Sequence, residues 1–493
     1  MNMTIATDWN MLLVKGLPFL TLLGMGLLLL VIEVLWWGKD KTIMLILSLL
    51  AVAASFYFAW DQWIQNIPWS QQLLVFDRLS YIFDLIFLFC LLITLLISRD
   101  HIKREHIERG EYYALLLLAT VGMMMMAHAG DLMVLFLGIE VMTIGAYILA
   151  GIKKRHSKSN EAALKYFILG GIAAGLMVFG IAFFYGATGS TQLSILNQTF
   201  AEVDSSQSVL IFLAVALILV GLCFKIAAVP FHFWSPDVYE GAPTTVTAFM
   251  ATAIKAAGFV ALFRVLFIVI SLTHIPWVPL LSTLSIATMT VGNLVALRQT
   301  NIKRMLAYSS IAHAGYALVG LAAAAKDNQL SEMALGAIVF YMMAYAVITL
   351  GAFAIVVAMG HRGDEAEEIS DFAGLGQRHP LLAAAMTVFM IALTGIPPTI
   401  GFIGKFYLFA SAIEVGLYTL VVIGVLNSVV SAYYYLGVVM TMYFKEGAVY
   451  RWPPLAYLLT TSIFLTLLGT LYWGVFPKDL FLMAQESVRQ VIF

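Results

Sequence analysis

Between Val209 and Thr245 the chain reads VLIFLAVALILVGLCFKIAAVPFHFWSPDVYEGAPTT, an apolar run with a lysine inside it and a proline just beyond. A membrane span needs about 20 predominantly apolar residues, and this run has that length. Lys225 comes near its end, and Pro230 removes a backbone donor five residues later. In lipid, freed backbone groups and ionisable side chains survive only against a protein interior or water. The segment 208–234 therefore reads as a discontinuous helix wrapped around a charge, the build of an ion pathway. His232, Asp237 and Glu240 follow in a loop that stays aromatic. The competing structural reading is a proline kink with one tolerated lysine.

Composition extends this reading to the whole chain. Hydrophobic residues make up 62% and charged ones 11%, with mean hydropathy +0.93, whereas soluble domains carry about 25% charged residues. No water-soluble core hides that much apolar surface, so the chain is an integral membrane protein. A net charge of −1 gives no reason to expect a nucleic-acid partner. Cys90 and Cys223 lie far apart and no CxxC exists, which argues against iron–sulfur and structural zinc sites. The start, MNMTIATDWN, lacks a basic region, so the first apolar run reads as an uncleaved helix rather than a signal peptide.

About fourteen transmembrane helices are expected, at 11–37, 42–60, 77–98, 112–129, 132–151, 161–186, 208–234, 243–271, 276–297, 301–324, 332–359, 379–410, 414–444 and 454–476. The class is an all-α polytopic membrane protein. No soluble domain and no Gly-rich phosphate loop interrupts it. If the first span starts outside, seventeen lysines and arginines fall in inward loops, among them Arg99, Lys103, Arg104, Lys153, Lys154, Arg155 and Arg362, against five outside. The positive-inside rule then puts both termini on the outer side.

An internal echo follows. ALTGIPPTIGFIGKFYLF at 392–409 breaks span 12 at Pro397 and Pro398, with Lys405 beyond. Spans 7 and 12 are five apart and so run in opposite directions, which suggests two inverted five-helix repeats with discontinuous helices. The expected units are an N-terminal three-helix segment (1–110), repeat 1 (111–275, helices 4–8), repeat 2 (276–447, helices 9–13), and helix 14 with its tail (448–493).

Charges inside spans are the candidate site. Glu140 sits mid-span with no opposite charge in its own turn, and a lone carboxylate there must be paired or protonated. Lys255 is central and surrounded by small residues that let helices and water approach. Lys165 lies about one turn into its span, where a snorkelling lysine is equally expected. His232 and His313 titrate near neutrality and can pass protons, although a lone histidine is as often simply hydrogen-bonded. Arg264 reads as an anchor near the outer end of span 8; Glu33 as an interfacial partner of Lys39. Relaying protons near neutrality requires burial to disfavour a charged lysine by roughly 4 kcal/mol, and a carboxylate that approaches and leaves would switch it.

The stretches CFKIAAVPFHFWSPDVYEGAPTTVTAFMATAIKAAGF, LRQTNIKRMLAYSSIAHAGY and TGIPPTIGFIGKFYLF resemble the antiporter-like membrane subunits of respiratory complex I, and among them the subunit N line of bacterial NADH–quinone oxidoreductase. The lysine of GFIGK is similar to N where M-type subunits have glutamate, and the chain ends without the long lateral helix of the L-type. By this resemblance Glu140 matches the helix 5 glutamate and Lys225 its partner on helix 7. Lys255 matches the central helix 8 lysine and Lys405 the helix 12 residue, with Lys165, His232 and His313 as further members of the hydrophilic axis. The resemblance implies proton translocation with no cofactor in this chain. NADH, FMN, iron–sulfur clusters and quinone belong to other subunits, and an adjacent M-type and a small K-type subunit are the expected neighbours in a bacterial inner membrane. The rival readings are a Na⁺/H⁺ antiporter or membrane-bound hydrogenase subunit, a structural scaffold whose charges only hold helices together, and a metal- or haem-bearing subunit.

Overall fold

The computed structural model describes residues 9–35, 38, 40–199, 208–269, 276–325, 331–360, 365–446 and 456–489. Both chain ends and Lys39, Lys326, Arg362 and Arg451, which entered the orientation argument, lie outside the described residues. Helix dominates because every backbone group inside a bilayer must be satisfied within its own segment. The order opens with α1 (Trp9–Lys15), α2 (Leu17–Leu35) and α3 (Thr42–Gln65). A short hairpin follows, β1 (Trp69–Gln71) paired antiparallel with β2 (Leu74–Phe76), and then α4 (Arg78–Arg104). Next come α5 (Gly110–Ala127), α6 (Leu132–Ala150), α7 (Ser157–Thr188) and the short α8 (Leu193–Thr199). α9 (Ser208–Ile226) and α10 (Trp234–Gly241) flank a break, and α11 (Thr244–Phe249) runs through a π-helical turn at Met250–Ile254 into α12 (Lys255–Val269). The second half holds α13 (Trp277–Ala296), α14 (Ile302–Ala324), α15 (Glu332–Met359), α16 (Leu375–Arg378), α17 (Pro380–Thr394), α18 (Ile400–Glu414), α19 (Tyr418–Phe444), α20 (Tyr457–Val475) and α21 (Lys478–Val488).

Among the described residues, thirteen stretches are long and apolar enough to cross a membrane. The expected span 12 is the fourteenth, split into the two 15-residue helices α17 and α18. Two expectations change. Span 1 is two helices meeting at Gly16, where Pro18 in the first turn of α2 has no N–H to offer. Span 7 stops at Ile226, before the proline, since Pro230 has no N–H to bond the Ile226 carbonyl and its ring would clash with it. The fold is all-α as expected, with only the short hairpin at 69–76 added at one end of the described helices. α4 and α7 also run further than expected into RDHIKR and SKSN, because charge marks the exit from lipid and not the end of a helix.

Burial divides the helices by role. The rod from Thr244 to Leu266, with α14, α15 and α4, is wrapped almost wholly by protein, while α2, α7, α19 and α20 keep broad apolar faces outward. The loops at 105–109, 152–158, 241 and 365–371 gather at one end, here called the basic end, around an open vestibule of about 1020 Å³. The hairpin, Ala127–Asp131 and Thr191 meet at the opposite end, where α21 returns so that Ser487 accepts from the Trp63 indole.

Candidate functional site

Lys225 stands in the last turn of α9, directly before the break. Ala227 takes a left-handed φ of +56°, a strained choice for alanine, and the freed backbone finds partners. Ala228 N–H donates to the Cys223 carbonyl at 2.9 Å, Val229 N–H to Thr288 Oγ1 at 3.1 Å, and the Trp234 indole to the Phe224 carbonyl at 3.0 Å. The Lys225 ammonium is 2% exposed as a residue and donates to Thr143 Oγ1 at 2.7 Å. Thr143 is one turn along α6 from Glu140. The expected Glu140–Lys225 pair is therefore a near neighbourhood and not a contact. Glu140 is the charge whose field reaches the amine, and its Oε1 is buried without a hydrogen-bond partner.

Lys255 follows at the end of the π turn, a feature often found at functional sites. Its ammonium is buried and donates to the Ser310 carbonyl of α14. Close packing joins it to Lys225: a Cβ at Gly258 would come within 2.7 Å of Ile226 Cγ2 and 3.6 Å of Lys225 Cβ, so only glycine lets these helices approach so closely. One turn beyond Ser310, His313 Nδ1 lies 2.7 Å from the Tyr341 hydroxyl and Nε2 lies 3.1 Å from that of Tyr435. Lys255, His313 and Tyr345 line one small void.

From His313 the line continues through Tyr316, whose ring centroid is 5.7 Å from the imidazole and 4.4 Å from the Lys405 ammonium. Lys405 belongs to α18, yet its amine turns back across the break. It donates to the Leu393 carbonyl at 3.1 Å, the Thr394 carbonyl at 2.8 Å and Ser428 Oγ at 2.8 Å. It thus meets the orphan carbonyls that end α17, where the helix dipole favours a cation. Gly395 permits this with φ +89°, and a Cβ there would meet Lys405 Cδ at 2.9 Å. Lys225 precedes its break and bonds a neighbouring helix, whereas Lys405 follows its own and reaches back to the carbonyls that end the first half-helix.

Five sequence candidates therefore form one succession: Glu140, Lys225, Lys255, His313 and Lys405. Two lie to the side of it. Lys165 lies two turns into α7 with 41% of its side chain exposed and is paired with Glu161 and Asp237, both at 2.7 Å. His232 sits in the break with its ring 4.4 Å from Phe233 and Nδ1 buried without a hydrogen-bond partner.

Around the basic end the pattern is different, because cations meet carboxylates. Arg304 bonds Asp237 at 2.7 Å and Glu240 at 3.0 Å, and Lys158 bonds Glu240 at 3.0 Å. Glu365 receives Lys153, Lys303 at 2.9 Å and the Thr244 hydroxyl, with His101 Nε2 at 3.4 Å. Burial alone would push the Glu365 carboxyl up; Lys303, His101 and Lys153 outweigh it and hold the group well below the usual carboxylate range. His101, Glu105 and Glu365 stand close enough for their donor atoms to share an ion, but the Lys153 and Lys303 ammonium groups already supply that charge.

Sequence and structure comparisons identify the family of the chain. The family model described as NADH:quinone oxidoreductase/Mrp antiporter, TM, matches residues 129–431. The chain is 44% identical over 473 residues to NADH-quinone oxidoreductase subunit N of Trichlorobacter lovleyi, covering 96% of each. It is 40% identical to subunit N 1 of Herpetosiphon aurantiacus over 98% of this chain and 97% of that one. The chain belongs to the NADH-quinone oxidoreductase subunit N family. A chain of respiratory complex I from Thermus thermophilus has the same fold at TM-score 0.80 and 33% identity, covering 95% of this chain and 99% of that chain. A chain of the Mrp complex from Dietzia sp. shares the fold at TM-score 0.83 and 20% identity, covering 96% and 97%.

In this subunit N family member, two buried pairs were not foreseen. Arg264, expected as an anchor, is fully buried and grips Asp77 through both terminal nitrogens at 2.9 and 2.8 Å. Asp84, also fully buried, lies 2.8 Å from His128 Nε2. A guanidinium in an apolar run demands a buried acid, and that was the signal available: Asp77 caps α4 immediately before RLSYIF. Glu33, expected to pair with Lys39, bonds Lys41 at 2.6 Å. The methionine run at 123–126 is packing, with Met123, Met124 and Met126 buried.

Proposed function

We propose that this chain is a proton-translocating membrane subunit of NADH-quinone oxidoreductase, coupling quinone reduction in other subunits to proton transfer along Glu140, Lys225, Lys255, His313 and Lys405. The observation that carries this reading is the state of the three lysines. Each is buried and each donates to neutral oxygens, Thr143, Ser310, or Leu393, Thr394 and Ser428. A buried ammonium without a carboxylate can give up its proton without leaving an anion behind, which suits relay better than permanent cation binding, since ammonium groups repel Na⁺. Glu140, one turn from Thr143, supplies the charge that stabilises or releases the Lys225 proton as it approaches or withdraws.

In this reading Lys165 and His232 are supporting groups, Lys165 at the entrance beside Asp237 and His232 in the break. Redox cofactors reside in other subunits. The chain sits in a bacterial inner membrane with the basic end inward, both termini outward, and M-type and K-type membrane subunits as neighbours. The two units 111–275 and 276–447, each with one broken helix, act as inverted repeats. The test is NADH-driven quinone reduction with proton uptake into vesicles for Lys225→Ala, with assembly checked on the same membranes. Both rates are expected to fall on the order of tenfold in an assembled complex; full rates would overturn the role of Lys225.

A further inference from the structure

Glu365 lies in the charged stretch between α15 and α16, far in sequence from every group in the proton succession. Its carboxylate nevertheless gathers ligands from four other segments. These are His101 on α4, Lys153 between α6 and α7, Thr244 at the first position of α11, and Lys303 in the first turn of α14. Lys303 also donates to the Ala242 carbonyl at 2.9 Å, in the connection between α10 and α11. The next residue on α14, Arg304, holds Asp237 and Glu240 on α10. The backbone joins the grip: Ile302 N–H donates to the Glu367 carbonyl at 2.6 Å, and Ile369 N–H to the Thr300 carbonyl at 2.8 Å.

Two rods start at this point. Thr244 begins the continuous helix that reaches Lys255, and Ile302 begins the helix that carries Ser310 and His313. Their meeting place is the Lys255–Ser310 hydrogen bond and the void shared by Lys255 and His313. At 1.5 Å rise per residue, Lys255 stands about 16 Å along its rod and Ser310 about 12 Å along the other. Both rods are nearly fully buried, so sliding at their ends is passed along them rather than absorbed. We propose that Glu365 is a positioning residue for proton transfer: by fastening the ends of these two rods across both halves of the chain, it sets the register in which Lys255 meets Ser310 and His313. Glu365 touches none of the relaying groups and acts only through the helices that carry them. The inference rests on the proposed role of Lys255.

The test measures NADH-driven quinone reduction and proton uptake in vesicles holding the full complex, with assembly followed by native gel. Glu365→Gln is expected to lower the maximal coupled rate on the order of tenfold while leaving the KM for quinone unchanged, since register errors of about 1 Å weaken chemistry more than binding. Glu365→Asp restores part of the rate. Thr244→Val, which removes one arm of the grip and no charge, gives a smaller loss of about threefold. Glu365→Gln adds nothing to Lys255→Met, because the two changes spoil one step. Full rates in assembled Glu365→Gln, or additive losses in the double variant, would overturn the proposal. If Glu365→Gln does not assemble while Glu365→Asp and Thr244→Val run at full rate, Glu365 serves stability alone and the proposal is equally overturned. Lys255→Met at full rate would instead remove the reading on which it rests, whatever Glu365→Gln does.

Discussion

The lysines of the central succession and those of the basic end differ in what they touch. Lys225, Lys255 and Lys405 rest on hydroxyl or carbonyl oxygens, and among the described residues none of them has a carboxylate within ion-pair distance. Lys153, Lys158, Lys165 and Lys303 each meet two carboxylates. An opposite charge within a few ångströms holds an ammonium charged. A neutral acceptor holds its position and leaves its proton negotiable. These seven lysines thus divide into carriers and clamps by the chemistry of their partners, not by depth alone, since Lys303 at 1% exposure is as buried as any of the three carriers.

The comparison breaks most severely where a buried pair loses one member. Arg264→Met leaves Asp77 ionised, fully buried and without its fork of hydrogen bonds. Removing one partner of such a pair costs about 3–5 kcal/mol, so the expected outcome is loss of assembled complex on a native gel. Arg264→Met with Asp77→Asn together should recover part of it, because no buried charge is then stranded. Assembly of the single variant at wild-type level would show that this end of the molecule is not held by charge.

The smallest effect is expected at the half-exposed rim. Lys165→Ala removes two partly solvated ion pairs, each worth about 0.2–1 kcal/mol, and should change the coupled rate less than threefold. The same region should be silent between about pH 6 and 8. Burial works against the Asp237 and Glu240 carboxyls, but Lys165 and Arg304 beside the first, and Lys158 and Arg304 beside the second, hold both below their ordinary values. Groups with depressed values contribute fully above the unfolded carboxylate range, near 4, and lose that contribution only as pH falls through their lowered values. A rate profile that bends between pH 6 and 8 and loses its bend in Asp237→Asn would contradict the division.

Much of this was legible in the chain because a charge in an apolar run is conspicuous. Glu140, Lys225, Lys255, His313 and Lys405 could each be singled out by that test, and Pro230 with Pro397 and Pro398 marked both breaks. Partners were not legible. Thr143, Ser310 and Tyr316 are ordinary residues of apolar helices, and what matters is which face of a distant helix they meet. Arg264 and Asp77 are 187 residues apart. Glu365 looked like one more acid in a polar loop, since nothing in its neighbours betrays that four other segments converge on it. The partnership of Glu140 with Lys225 came from the family resemblance and not from spacing; in the structure the Lys225 amine rests on the Thr143 hydroxyl, one turn from Glu140.

The central claim is that the buried amines must release their protons, and Lys405→Arg tests it most directly. Arginine can keep the charge, the bonds to the Leu393 and Thr394 carbonyls and the stacking on Tyr316, but it does not deprotonate in proteins. In an assembled complex, proton uptake and coupled quinone reduction should then fall on the order of tenfold, as for loss of a positioned proton donor. Wild-type rates with arginine at 405 would contradict the account, because a fixed charge would then suffice where a mobile proton is required.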